Sequence, residues 1–127
     1  VKLYHFTAAH LIEKIKREGL TKGMVPVTTH PPRFLTGLQW LTADGEFDQA
    51  WCAQKILVPY DRNAYRITVK VPKKHRKNVL HWLMVCDVNK FPAAVELNRY
   101  GDPENWRIYR GFIRPGWFRE IKRKEGG

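Results

Sequence analysis

Few residues of this chain have both the type and the surroundings that chemistry requires. Leu3-Tyr4-His5-Phe6-Thr7 is an apolar and aromatic run that reads as a short strand, and His5 is the polar exception within it. An imidazole inside a buried strand needs either a backbone partner or a task. The other histidines, His10, His30, His75 and His81, show no helical i, i+4 pairing and have no cysteine close by, which argues against zinc. The chain contains no serine, so a serine nucleophile is excluded, and Cys52 and Cys86 stand apart without a CxxC. They read as buried free thiols. Neither GxGxxG nor GxxxxGK(S/T) occurs, so the sequence carries no dinucleotide fingerprint and no phosphate loop. What remains is His5 on the first strand, Trp40 in Gly37-Leu38-Gln39-Trp40-Leu41-Thr42, and the acid–amide pair Glu104-Asn105 ahead of a late strand.

These residues must be positioned by elements that the hydrophobic pattern outlines. After the first strand, Thr7 is a good N-cap, Ala8, Leu11, Ile12 and Ile15 recur on one helical face, and Gly19 supplies the stop. Thr21 to Thr36 carries Pro26, Pro31 and Pro32 and is expected to be a proline-stiffened binding loop or lid. Gly37 opens the Trp40 strand, Asp44-Gly45 turns the chain, and Phe47 to Gln54 is expected to be a short helix with Phe47, Ala50 and Trp51 facing inward. Ala64 to Val71 alternates as the clearest strand, ended by Pro72. Lys73 to Lys77 opens a predicted helix through Val79, Leu80, Leu83 and Met84, and Phe91 to Tyr100 a second. Trp106 to Ile113, the turn Arg114-Pro115-Gly116, and Trp117 to Lys124 read as strand, tight turn, strand, with a bulge at Gly111. The order predicts an α+β fold, a single domain over 1–127 with a largely antiparallel sheet covered by helices.

Composition supports a packed domain with an anionic partner. The 127 residues are 43% hydrophobic, and 23 Lys and Arg against 12 Asp and Glu give a formal net charge of +11. Such a field concentrates polyanions or anionic small molecules. Lys73, Lys74, Arg76 and Lys77, with Arg119, Lys122, Arg123 and Lys124, are candidates for phosphate contacts to nucleic acid, or simply a solvated face. No apolar run approaches the roughly 18 residues of a membrane span and no signal segment opens the chain, so the expectation is a cytoplasmic protein.

Four motifs together resemble the ADP-ribosyltransferase superfamily: Tyr4-His5-Phe6-Thr7, the helix ending in Arg17-Glu18-Gly19-Leu20, Gly37-Leu38-Gln39-Trp40-Leu41-Thr42, and Glu104-Asn105-Trp106-Arg107-Ile108-Tyr109. The chain is most similar to the small His-Tyr-Glu clade, to which poly-ADP-ribose polymerases, bacterial toxin domains and RNA 2′-phosphotransferases are related. The resemblance implies a split sheet that binds NAD as substrate and passes ADP-ribose to a protein or nucleic-acid acceptor, releasing nicotinamide. It implies that His5 hydrogen-bonds the nicotinamide ribose, that Trp40 stacks on nicotinamide where the family has tyrosine, and that Phe6, Thr7 and Thr42 join them around NAD. It makes Glu104 the acid that binds the ribose 2′-OH and stabilises the oxocarbenium-like charge. The alignment itself departs from the family here, placing Asn105 in the acid slot with Glu104 one residue away, so that a bulge is needed to present Glu104.

Each of these residues also has a structural reading. His5 is equally explained as a core histidine bonded to a backbone carbonyl, Trp40 as a core aromatic, and Glu104 as a solvated turn residue in Gly101-Asp102-Pro103-Glu104-Asn105. A catalytically inactive basic module of the same fold, holding nucleic acid or an acidic protein, is the alternative function.

Overall fold

Tyr65-Arg66-Ile67-Thr68-Val69 shows how the alternation becomes architecture. As a central strand it buries Ile67 and Val69 completely against one layer, while Arg66 and Thr68 point to the other face. The computed structural model describes residues 2–29, 31–49, 51, 62–87 and 89–124. Among them the strands are β1 (Leu3–Thr7), β2 (Met24–Thr29), β3 (Pro32–Thr36), β4 (Leu38–Thr42), β5 (Tyr65–Val69), β6 (Val79–His81), β7 (Trp106–Arg110) and β8 (Phe118–Arg123). The helices are α1 (Ile12–Glu18), α2 (Trp82–Val85) and α3 (Ala94–Tyr100). Six strands form one sheet in the order β6-β7-β4-β1-β5-β8, antiparallel at every described pairing, and β2 and β3 form a separate antiparallel ribbon. The protein is an α+β structure with a mostly antiparallel sheet and a few helices. No described helix is long and apolar enough to cross a membrane.

The sheet separates two cores. On one face Leu3, Leu41, Ile67, Val69 and Tyr109 meet Ile12 and Leu20 from α1 and its exit, with Val71 and Ile113 closing the layer. On the other, Ile108, Trp106 and Trp40 meet Trp82 of α2, Ala94 of α3 and Val25 of the ribbon. Burial of each large side chain contributes about 1.5–3 kcal/mol, so both layers are needed to hold the sheet. Gly19 ends α1 at φ +84, and the next residue, Leu20, exchanges backbone bonds with Ile113 at 2.8 and 3.0 Å.

Several elements differ from what the pattern predicts. Thr7 lies in β1 and caps nothing; the helix instead begins with a 3-10 turn over Ala9–Leu11 whose N-cap is Ala8. The proline-rich stretch is a hairpin rather than a loop, because a two-stranded ribbon has two open edges and a missing amide there breaks no ladder bond. Its register shifts between Pro26 and Thr28, and Pro32 opens β3. Lys73–Asn78 is a 3-10 helix that runs into β6, and only Trp82–Val85 is α-helical. Short-range apolar spacing there serves a strand edge and a turn, not one helix. β7 and β8 are not a hairpin but lie four strands apart, since Ile113 pairs with Leu20 and carries the chain across to β5. Of the helix expected over Phe47 to Gln54, Phe47 to Gln49 are irregular rather than helical, and Ala50 and residues 52–54 lie outside the described residues, as does Cys52; Phe47 and Trp51 both pack on Phe6. Cys86 is a free, half-buried thiol near Asn98.

Candidate functional site

The site begins where two adjacent strands stop pairing. β1 and β4 share a single register pair, Tyr4 with Thr42, and beyond it the ladder is replaced by a side chain: His5 Nδ1 lies 2.8 Å from the Trp40 carbonyl oxygen. A carbonyl only accepts, so Nδ1 carries the proton and Nε2 of the neutral ring is left as an acceptor. Among the described residues Nε2 has no protein partner, and His5 is half-buried. Burial holds the imidazole below the usual histidine range, opposed by its bond to the Trp40 carbonyl. The neutral ring is a weak base and a good acceptor for a hydroxyl.

A cleft of about 190 Å³ opens beside it, with His5, Thr7 and Gln39 on the sheet side and Ile15, Glu18 and Leu20 on the α1 side. Lys14 and Lys22 stand exposed at its margin. Gln39 is the residue that the sequence reading missed. It is 2% exposed, accepts from the Gly23 amide at 2.9 Å and donates to the Gly111 carbonyl at 3.0 Å, tying three segments into one wall. Gly23 is glycine because a Cβ there would run into Leu38 O and Gln39 Oε1. The signal was present, since Gln39 breaks an apolar strand in the same way His5 does. The volume is below the 300–1,000 Å³ typical of whole-ligand pockets and suits one ring or one ribose, with the rest of a ligand lying across the open side.

Only part of the expected constellation meets here. His5 and Thr7 line the cleft. Phe6 points to the opposite face and is buried edge-on against Phe47 and Trp51, with centroids 5.5 and 6.1 Å away. Trp40 also faces away: its ring packs on Trp82 and Trp106 at 5.0 and 5.5 Å, and its Nε1 donates to Met24 O at 2.9 Å. Strand alternation is the reason, since Trp40 follows Gln39 and only its carbonyl reaches His5. Thr42 is buried and its hydroxyl accepts the Asp44 amide at 3.1 Å, shaping the turn after β4. Glu104 is exposed in the 3-10 turn Pro103–Asn105 and is not part of the cleft lining. Beside it, Asn105 bonds the Asp102 carboxylate through its side chain and accepts the Ala43 amide at 2.8 Å through its backbone. Lys73, Lys74, Arg76 and Lys77 are exposed on another part of the surface. No group of three or more His, Cys, Asp or Glu among the described residues could hold a metal.

Comparison with family models, curated proteins and solved structures yields no match to this chain.

Proposed function

We propose that the chain is an ADP-ribosyltransferase-like protein that binds NAD in the cleft beside β1. The observation that carries this reading is the position of His5 at the break between β1 and β4, with a proton fixed on Nδ1 and Nε2 left to accept a ribose hydroxyl. Lys14 and Lys22 supply positive charge where the pyrophosphate would cross the margin. In the transfer, the bond from ribose C1′ to the nicotinamide nitrogen breaks as an acceptor nucleophile bonds C1′, and the nucleophile's proton is lost to solvent or a base. Glu104 is the acid on the strength of the sequence resemblance.

A second reading, binding without turnover, is favoured by one observation: Glu104 lies outside the cleft and Asn105 is held in a turn by Asp102. Two measurements separate the cases. Millimolar NAD should raise Tm by mass action in the unmodified protein, and His5→Asn, which keeps a donor for the Trp40 carbonyl but removes Nε2, should abolish the rise. No shift at about 5 mM NAD, some 1,000-fold above a micromolar Kd, overturns NAD binding with or without turnover. Nicotinamide release that falls about 100-fold in Glu104→Gln supports transfer, whereas a full NAD-dependent shift with no release supports binding alone.

A further inference from the structure

Residues 70–86 and 105–119 together contain nine Lys and Arg and not one Asp or Glu. The fold lays these two stretches side by side. β6 pairs with β7 through Val79 and Tyr109, the His75 ring meets Trp117 at 5.0 Å, and Arg110 Nη2 donates to Asn78 Oδ1 at 3.3 Å. Lys73, Lys74, Arg76, Lys77, Arg110 and Arg114 are all exposed, and none has a carboxylate partner among the described residues. Like charges gathered without counter-charges repel one another, and a polyanion relieves that repulsion.

Phe112 stands in this field. At 60% it is the most exposed aromatic ring among the described residues, flanked in sequence by Arg110 and Arg114. Its exposure does not come from a loose loop. The Gly111 amide donates to Gly37 O at 2.8 Å, the Gly111 carbonyl accepts from Gln39 at 3.0 Å, and Ile113 exchanges two backbone bonds with Leu20. The backbone on both sides of the ring is therefore fixed, and the ring is presented to solvent from a segment that carries an exposed arginine on either side in sequence. An aromatic face held among phosphate-binding groups gains most from an unstacked base, which a duplex does not offer.

We infer that this surface binds single-stranded nucleic acid, with phosphates along Lys73, Lys74, Arg76, Lys77, Arg110 and Arg114 and a base stacked on Phe112. The inference holds whether or not the cleft takes NAD, and its test contains none. A labelled single-stranded oligonucleotide of about 12 nucleotides, within the span of one small domain, is titrated by fluorescence anisotropy. Contacts from about five of the cations predict a log–log salt slope near −3.5, or about 100-fold weaker binding at 200 mM than at 50 mM salt. Phe112→Ala should weaken binding about 10-fold and leave the slope unchanged, while Phe112→Trp restores it. Arg110→Gln with Arg114→Gln should flatten the slope by about 1.4. Because these side chains are exposed, an unchanged denaturation midpoint confirms that each variant is folded. Absent binding at 50 mM salt, binding indifferent to Phe112, or tighter binding of the matched duplex or of anionic lipid vesicles overturns the inference.

Discussion

His5 links a protonation state to the break in the sheet. Its folded-state pKa is lowered, chiefly by desolvation, while in the unfolded chain it returns to about 6.5. Between those two values the unfolded state binds more protons than the folded one, so stability rises with pH across the window and falls as pH drops from about 6.5 toward the folded value. Above about 6.5 this contribution is fully present. His5→Asn keeps a donor toward the Trp40 carbonyl but does not titrate. The expected outcome is a urea midpoint that falls less between pH 7 and pH 5 in His5→Asn than in the unmodified protein, with the carboxylates common to both acting as the baseline. Parallel pH profiles would show that the imidazole is not desolvated in the folded protein.

At the scale of elements, the wall of the cleft depends on how α1 ends. Gly19 has φ +84, and a Cβ added there would collide with the Ile113 carbonyl that accepts the Leu20 amide. Gly37 has a similar φ of +74, but open space surrounds the place where its Cβ would stand. Holding a non-glycine residue at such a φ costs about 1–3 kcal/mol, and Gly19, with ψ −169, lies in a region that is essentially reserved for glycine. Gly37→Ala should therefore cost about that much by chemical denaturation, and Gly19→Ala at least about 2 kcal/mol more, because relieving the clash breaks the Leu20–Ile113 bridge and leaves a backbone donor without its partner. Equal losses would mean that the chain after α1 moves freely. The helix stop at Gly19 and the strands around Trp40 and Ile67 were legible in the sequence because local rules govern them. The hairpin made by β2 and β3 was not, since proline is tolerated on an open ribbon. The separation of β7 from β8 was hidden for a different reason: the Ile113–Leu20 bridge that prevents a hairpin joins residues far apart in the chain. The same limit applied to the site. His5 stood out as polar within an apolar run, and the turn that exposes Glu104 was one of the two readings of Gly101 to Asn105 because turn-forming residues cluster there, but the direction of Trp40 depends on the face that Gln39 takes.

For the molecule as a whole, the net charge of +11 acts on stability and on binding with opposite salt dependence. The ion pairs between described residues, Lys16–Glu13, Arg66–Glu120 and Lys124–Asp48, all use exposed carboxylates, and each pair contributes no more than about 1 kcal/mol. Against them stands the mutual repulsion of the surplus cations, among them the exposed Lys73, Lys74, Arg76, Lys77, Arg110 and Arg114. At 10 mM salt charges interact over about 30 Å, comparable with the size of the molecule, and at 100 mM over about 10 Å. Added salt therefore removes more repulsion than attraction. Tm should rise between 10 and 100 mM sodium chloride, by about 3–5 °C if screening contributes about 1 kcal/mol. A thermal melt followed by circular dichroism at the two salt concentrations checks this. A flat or falling Tm would mean that the three ion pairs outweigh the surplus cations, and a surface of that kind would have no excess field with which to draw in a polyanion.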